Sequence, residues 1–316
     1  MTVVPPPADG EEEARRFRHR RGTLAAWAVV LLWGFHYVVL YRPLRLIDPE
    51  RYLALRFGWA GGTVLVLCLF LPVVRGLSGA LWGRLFLVAL VGIVGYQWVF
   101  LQAASILDPV PLVMILSLGP VLVALYSQIR GHESFSFLEW GAIGLVVLGI
   151  VLVVRGGVTG DPARTGRPET LEGLLMAALS LLFFTGATLM SRSLLARVSP
   201  LQATLVPILI GALILIPLHP SWIVLPAEDR TPLIVGSLLY SVFAALFLSY
   251  FLWNLAVASL GPTRASLWVN GQPIVTAAGS VIFLGAHFSG LQVGGGVLAI
   301  AGFWLFFGTA LRTKSS

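Results

Sequence analysis

The chain has 316 residues, of which 57% are hydrophobic and only 11% are charged, and its formal net charge at pH 7 is +7. Soluble globular domains carry about 25% charged residues, so this composition excludes a surface that faces water on all sides. The positive charge does not indicate a nucleic-acid partner, because the arginines lie at the edges of apolar blocks and form no basic groove. The single cysteine, Cys68, excludes an internal disulfide framework and a cysteine-based metal site.

The chain begins with a polar tail, residues 1–22, that contains three prolines, three glutamates and five arginines. The tail lacks apolar periodicity and is predicted to be a disordered cytoplasmic segment. The apolar block that follows, 23–41, is long for a signal peptide and ends without a small-residue cleavage site. It is therefore predicted to be a retained first membrane helix.

Nine further apolar blocks follow, each close to the roughly 20 residues with which a helix crosses about 30 Å of hydrocarbon. Four of them are preceded by a capping side chain and a proline, a combination that favours helix starts. The predicted fold class is all-α, a polytopic membrane protein with ten transmembrane helices. The nine blocks are 51–74, 83–106, 109–130, 137–155, 170–191, 200–218, 231–256, 264–285 and 290–311.

The sequence repeats several features at an interval of 153 residues. The repeated pairs are Pro120/Pro273, Ser136/Ser289, Gly141/Gly294 and Gly149/Gly302. The paired serines begin two capping boxes, which end at Glu139 and Gln292. Because five helices per half is an odd number, the second half must enter the membrane inverted. The predicted domains are a first five-helix repeat at 23–155, a periplasmic linker at 156–169 and a second five-helix repeat at 170–312.

The distribution of basic residues predicts that both chain ends are cytoplasmic. With the tail inside, the inner termini and loops hold 13 arginines and lysines, whereas the outer segments hold 7. This asymmetry follows the positive-inside rule.

A series of short motifs occurs in order along both halves of the chain. The motifs are Leu32-Trp33-Gly34, Arg56, Tyr96 to Ala104-Ser105, Pro120, Glu133, Gly141…Gly149, Tyr250-x-x-Trp253-Asn254, Ala265, Pro273 and Gly294…Gly302. Together they resemble the drug/metabolite transporter superfamily and, within it, the ten-helix EamA-type members. The resemblance implies a bacterial inner-membrane carrier that exports small metabolites such as amino acids by alternating access. One departure is Ala286, where the family often has an acidic residue that matches Glu133.

Charged residues are nearly absent from the interior of the apolar blocks. All fourteen acidic residues lie in the tail, in loops or within a turn of a predicted helix end, so no buried acid is available as a proton relay. Arg56 is the only charge well inside a block. It is expected either to pair with a backbone carbonyl or the membrane surface, or to contact a substrate carboxylate or act in gating. Pro120 and Pro273 are expected to break two symmetry-related helices and to expose carbonyls toward a central pocket.

Neutral amides and aromatic rings at bilayer depth provide the candidate substrate-binding residues. Each could also serve helix–helix packing or the membrane interface. A cavity that mixes indole rings with amides suits small amphipathic solutes, and amphipathic or aromatic amino acids are the leading prediction. The candidate residues are Trp33, His36, Tyr37, Tyr96, Gln97, Ser117, Tyr250, Trp253, Asn254, Trp268, Asn270 and Gln272.

The chain contains no phosphate-binding loop, no metalloprotease or hydrolase motif and no cluster of cysteine and histidine. It is therefore predicted to be a secondary transporter rather than an enzyme, with no cofactor and no metal. The alternative function is an intramembrane lipid-modifying enzyme, which would need paired acids, a nucleophile–base pair or a metal set at bilayer depth. The expected partners are a small-molecule substrate and the lipid bilayer, and the chain is expected to be a monomer or a weak dimer.

Overall fold

The computed structural model describes residues 9–129, 136–158, 170–218 and 220–312. Within these ranges the backbone consists of helices and turns without strands, which confirms the all-α class. Residues 1–8, most of the predicted linker and Glu133 lie outside the described ranges.

Ten helices, two of them interrupted, follow one another along the described chain, with short 3-10 turns in some connections. They are α1 (Asp9–Tyr41), α2 (Pro49–Phe70), α3 (Gly79–Ile106), α4 (Pro109–Leu116 and Gly119–Ile129), α5 (Phe137–Val158), α6 (Leu171–Leu195), α7 (Pro200–Leu215), α8 (Pro232–Leu260), α9 (Pro262–Val269 and Gln272–Leu284) and α10 (Gly290–Arg312). By length and composition, α1 to α8 each contain a span that can cross a membrane, and α9 and α10 contain shorter apolar helices. The protein is therefore a multi-pass membrane protein.

Two predicted boundaries are wrong. The tail is helical from Asp9 onward, so the prediction of disorder fails for residues 9–22. The sequence there places glutamates four residues before arginines, a spacing that favours helix formation. The predicted linker also begins too early, because α5 continues to Val158.

Capping side chains begin most of the predicted helices. Asp48 accepts hydrogen bonds from two backbone amides at the start of α2, and Ser199 and Thr231 cap α7 and α8. Both halves of the repeat contain their capping box. The backbone amide of Ser136 donates to the Glu139 side chain, and that of Ser289 donates to the Gln292 side chain. Asp108 is an exception among the predicted caps, because its side chain makes no capping hydrogen bond.

The two interrupted helices break at equivalent positions. The helix α4 turns at residues 117–118 and α9 at residues 270–271, again 153 apart. A proline has no amide hydrogen, so Pro120 and Pro273 cannot donate to the carbonyls of Leu116 and Val269. Two further helices contain π-helical turns, at Leu90–Gly95 in α3 and Tyr240–Leu248 in α8. These irregular segments all lie near the middle of their helices, where π-turns often accompany functional sites.

Candidate functional site

A central cavity lies where helices of the two halves meet near the middle of the bundle. Its volume is about 30 Å³, which is room for about one or two water molecules. Seven helices contribute side chains to it, namely α1, α2, α3, α4, α6, α8 and α9. The lining residues are Trp33, His36, Tyr37, Arg56, Tyr96, Gln97, Phe100, Leu116, Phe184, Ala245, Tyr250, Val269 and Gln272.

A chain of polar side chains crosses one side of the cavity. Arg56 is only 1% exposed and lies about 10 Å along α2 from the helix start. Its Nη1 donates to Gln97 Oε1 at 2.7 Å, and Gln97 Nε2 donates to the Tyr250 hydroxyl at 2.9 Å. The guanidinium of the first half is thus linked to α8 of the second half through one amide.

Two further polar contacts also join the halves. His36 Nε2 and Ser241 Oγ form a hydrogen bond of 3.0 Å between α1 and α8. The Tyr37 hydroxyl donates to Gln272 Oε1 at 3.4 Å, between α1 and α9. The Nε2 atom of Gln272 is buried without a hydrogen-bond partner among the described residues. The helix α1 therefore carries polar contacts from the cavity to both neighbouring helices of the second half.

Aromatic rings form much of the remaining cavity wall. The Trp33 ring lies edge-on to Phe184 and Tyr250, with centroids 5.6 and 5.4 Å away, and Trp33 Nε1 donates to the carbonyl of Ala245 at 2.9 Å. Tyr96 stacks on Phe100 at 5.4 Å. Such rings offer large apolar contact with defined geometry, so the cavity combines apolar ring surfaces with charged and hydrogen-bonding groups.

Several predicted binding residues lie elsewhere. Trp253 and Asn254 line a neighbouring pocket, where Asn254 Nδ2 donates to Thr204 Oγ1 at 2.9 Å. Ser117 Oγ donates to the carbonyl of Val113 within α4. These contacts are the interhelical and local alternatives that such polar residues commonly adopt in membrane bundles.

The remaining predictions fall around the breaks in α4 and α9. Trp268 packs against Trp27, with ring centroids 5.0 Å apart, and does not line the central cavity. Asn270 occupies the break in α9, and both of its side-chain polar atoms are buried without a described partner. Pro120 lines a small pocket next to the cavity, and Pro273 is buried. Leu116 and Val269, whose carbonyls receive no hydrogen bond from the two prolines, line the cavity itself.

Two aromatic residues of the cavity, Phe100 and Phe184, were not among the predicted binding residues. Phe100 lies three and four residues after Gln97 and Tyr96, so helical spacing places it on their face. Phe184 stands in the second half close to the repeat position of Trp33. The sequence therefore contained a signal for each residue: helical spacing for Phe100 and internal symmetry for Phe184.

The helix ends that face away from the N-terminal tail are held by ion pairs. Arg45 Nη2 lies 3.2 Å from Asp108 Oδ1, and Arg51 Nη1 lies 3.6 Å from Asp229 Oδ2. Burial raises the pKa of the Asp108 carboxyl, although the nearby Arg45 guanidinium opposes the shift. Burial outweighs attraction here, because the carboxylate loses more hydration than a single partly exposed guanidinium replaces.

We expect Asp108→Asn to stabilise the protein at neutral pH. A carboxyl whose pKa is higher in the folded state than in the unfolded state favours folding when protonated, and this contribution is lost as the pH rises through the folded-state pKa. Asparagine remains neutral and is an equally good residue at a helix start. Thermal unfolding in detergent should show a higher Tm for the variant at pH 7 and no gain below about pH 4, where both residues are uncharged. A lower Tm at pH 7 would mean that the ion pair with Arg45 outweighs burial.

Comparison with known proteins connects this arrangement to transport. The family model of the EamA-like transporter family matches residues 20–155 and again 171–308. A protein of Bacillus subtilis (strain 168) described as the uncharacterized transporter YyaM is 26% identical over 265 residues, covering 81% of this chain and 83% of its own. A probable amino-acid metabolite efflux pump of Salmonella typhimurium is 22% identical over 310 residues, covering 93% and 97%.

The fold is also found among solved structures. One crystal structure matches with a TM-score of 0.65 and 19% sequence identity, over 92% of this chain and 98% of that chain. The matched family and the Bacillus and Salmonella relatives are described as transporters, which confirms the prediction of a membrane transporter and leaves the lipid-modifying enzyme without support. Because the family model matches nearly the whole chain in two consecutive stretches, the chain belongs to the EamA-like transporter family.

Proposed function

We propose that the protein exports small amphipathic metabolites, with amphipathic or aromatic amino acids as the leading class, across a bacterial inner membrane. The observation that carries the proposal is a cavity between the two halves whose lining combines aromatic rings with a buried guanidinium and amide groups. An aromatic amino acid offers a similar combination of an apolar ring and a polar head. The name of the Salmonella relative, a probable amino-acid metabolite efflux pump, supports the same class.

Alternating access is the mechanism that fits the small size of the cavity. A volume of about 30 Å³ is far below the roughly 300 Å³ at which ligand pockets begin, so the helices around it must separate to admit a solute. Helices bend most easily where their regular hydrogen-bond ladder is already interrupted. The breaks in α4 and α9 and the π-turns in α3 and α8 are such points. Opening toward one side and then the other would require the two halves to rock about this centre.

The proposed orientation, with both chain ends in the cytoplasm, rests on the arginine count. It places the ion pairs of Arg45 with Asp108 and of Arg51 with Asp229 at the outer helix ends. In this arrangement they bridge helix ends at the outer mouth, and export requires the bridged helix ends to separate. The transport unit is proposed to be a monomer or a weak dimer, since the cavity is complete within one chain.

Counterflow in proteoliposomes tests the proposed function. Vesicles preloaded with unlabelled phenylalanine, tyrosine, tryptophan or leucine should accumulate the labelled solute transiently and with saturable kinetics. Trp33→Ala should reduce the rate about tenfold, because it removes a ring that lines the cavity. Trp304→Ala is the matched control, since Trp304 lies in α10 and is 78% exposed. A broad panel of solutes without protein-dependent flux would contradict the proposal.

A further inference from the structure

Among the described residues that line the central cavity, the buried side-chain atoms without a partner are hydrogen-bond donors. Arg56 Nε and Gln272 Nε2 are buried and have no partner among the described residues. The Tyr250 hydroxyl accepts from Gln97 Nε2, which leaves its own hydrogen directed to another acceptor. The acceptor oxygens of the two amides are already used, Gln97 Oε1 by Arg56 and Gln272 Oε1 by Tyr37. The described side chains of the cavity thus offer unpaired donors, while the amide oxygens beside them already accept hydrogen bonds.

Arg56 also brings a permanent charge, since an arginine side chain stays protonated in proteins. The described ion pairs of neighbouring arginines, Arg45 with Asp108 and Arg51 with Asp229, lie at helix ends. Within the described ranges, the guanidinium of Arg56 pairs with the neutral oxygen of Gln97 alone. Buried charges in proteins are normally compensated by an opposite charge. A ligand with one negative charge would supply that compensation at the cavity.

The residues that line the cavity offer no negatively charged partner for an ammonium group. The lining residues include no aspartate and no glutamate. The carbonyls of Leu116 and Val269, which the two prolines leave without their usual donors, are neutral. A positively charged ligand would also lie in the field of Arg56, and like charges repel strongly where water is excluded.

We propose that the central cavity recognises aromatic monocarboxylates through Arg56 and Tyr250, and that the α-ammonium group of an amino acid contributes little to binding. The carboxylate accepts from the guanidinium and from the Tyr250 hydroxyl. The rings of Trp33, Tyr96 and Phe184 enclose the apolar body. This inference rests on the proposed transport function and changes its substrate class from amphipathic or aromatic amino acids to aromatic acids with or without an amino group.

Three matched ligands test the inference on the purified full-length protein in detergent: phenylalanine, 3-phenylpropionate and phenethylamine. Binding is measured by isothermal titration. Phenylalanine and 3-phenylpropionate should bind within about tenfold of each other, and phenethylamine should bind at least about 100-fold more weakly, since it lacks the group that pairs with a buried charge. Comparable binding of phenethylamine and phenylalanine would overturn the inference, as would a complete lack of binding by both carboxylates.

Two variants examine the role of Arg56. Arg56→Gln should abolish the preference for carboxylates. Gln97→Glu places a carboxylate beside the guanidinium, 2.7 Å from Nη1 in the present geometry, so it should keep the fold and compete with the ligand, weakening 3-phenylpropionate at least about 100-fold. The second variant keeps the test informative if the first fails to fold. Arg42→Gln, at the exposed end of α1, is the control and should leave all three affinities unchanged.

Failure of this inference can be separated from failure of the transport proposal. Counterflow that does not depend on a carboxylate in the solute would overturn the inference while transport stands. Counterflow that keeps the same preference for carboxylates in Gln97→Glu would do the same. A panel without flux of any solute overturns the transport proposal itself.

Discussion

Gln97→Leu is expected to lower the free energy of unfolding by about 3 kcal/mol. The amide of Gln97 is the described partner of Arg56 and also donates to Tyr250. Leucine has a similar size but removes both contacts, so the guanidinium would remain charged, buried and without a hydrogen bond. Such uncompensated groups cost more than the loss of an ordinary hydrogen bond.

The double variant Arg56→Met with Gln97→Leu is the informative comparison. Replacing both members of a buried polar pair with apolar side chains of similar volume is often close to neutral. We therefore expect the double variant to recover most of the stability lost in Gln97→Leu. Reversible unfolding in mixed detergent and SDS measures the difference. A double variant as unstable as Gln97→Leu would show that the cost comes from packing of Gln97 and not from the charge of Arg56.

The fold could be predicted from the sequence because each of its elements leaves a local signal. Apolar length sets the number of membrane helices, and the capping boxes at Ser136 and Ser289 mark equivalent starts in the two halves. The error at residues 9–22 has the opposite cause. A charged helix without an apolar face has no hydrophobic period, and only its Glu–Arg spacing distinguishes it from a disordered tail.

The cavity could be predicted only in part. Polar residues in apolar blocks identified Arg56, Gln97 and Gln272, since burial in lipid is costly for each. The sequence could not distinguish Gln272 from Asn270, which lies outside the cavity wall although it is only two residues away. Asn270 is itself part of the break in α9 and Gln272 begins the helix after it, and helical periodicity assigns faces only within an unbroken helix. Trp268 lies on the other side of the same break, and its direction was equally undetermined.

The second large effect is expected at the contact between α5 and α10, where helices from the two halves approach at backbone distance. A Cβ atom on Gly149 would lie 2.5 Å from the amide nitrogen of Ala299 and 2.5 Å from the carbonyl oxygen of Gly295. Gly302 faces the backbone of Ala142 and Val146 on α5 in the same way. Small residues allow this close approach in membrane bundles, and backbone atoms cannot move aside as a flexible side chain can.

Gly149→Leu should therefore force the two helices apart and destabilise the protein by about 3 kcal/mol, the upper part of the usual range for overpacking. Gly144→Leu is the matched control on the same helix, because a Cβ atom there meets no atom within 4 Å. Both substitutions raise the helix propensity of α5 equally, so the difference between them isolates the contact with α10. Reversible unfolding in mixed detergent and SDS should show a loss of stability for Gly149→Leu and little change for Gly144→Leu. Equal stability of the two variants would mean that α5 and α10 are not held together by this glycine contact, and that the two halves have another principal junction.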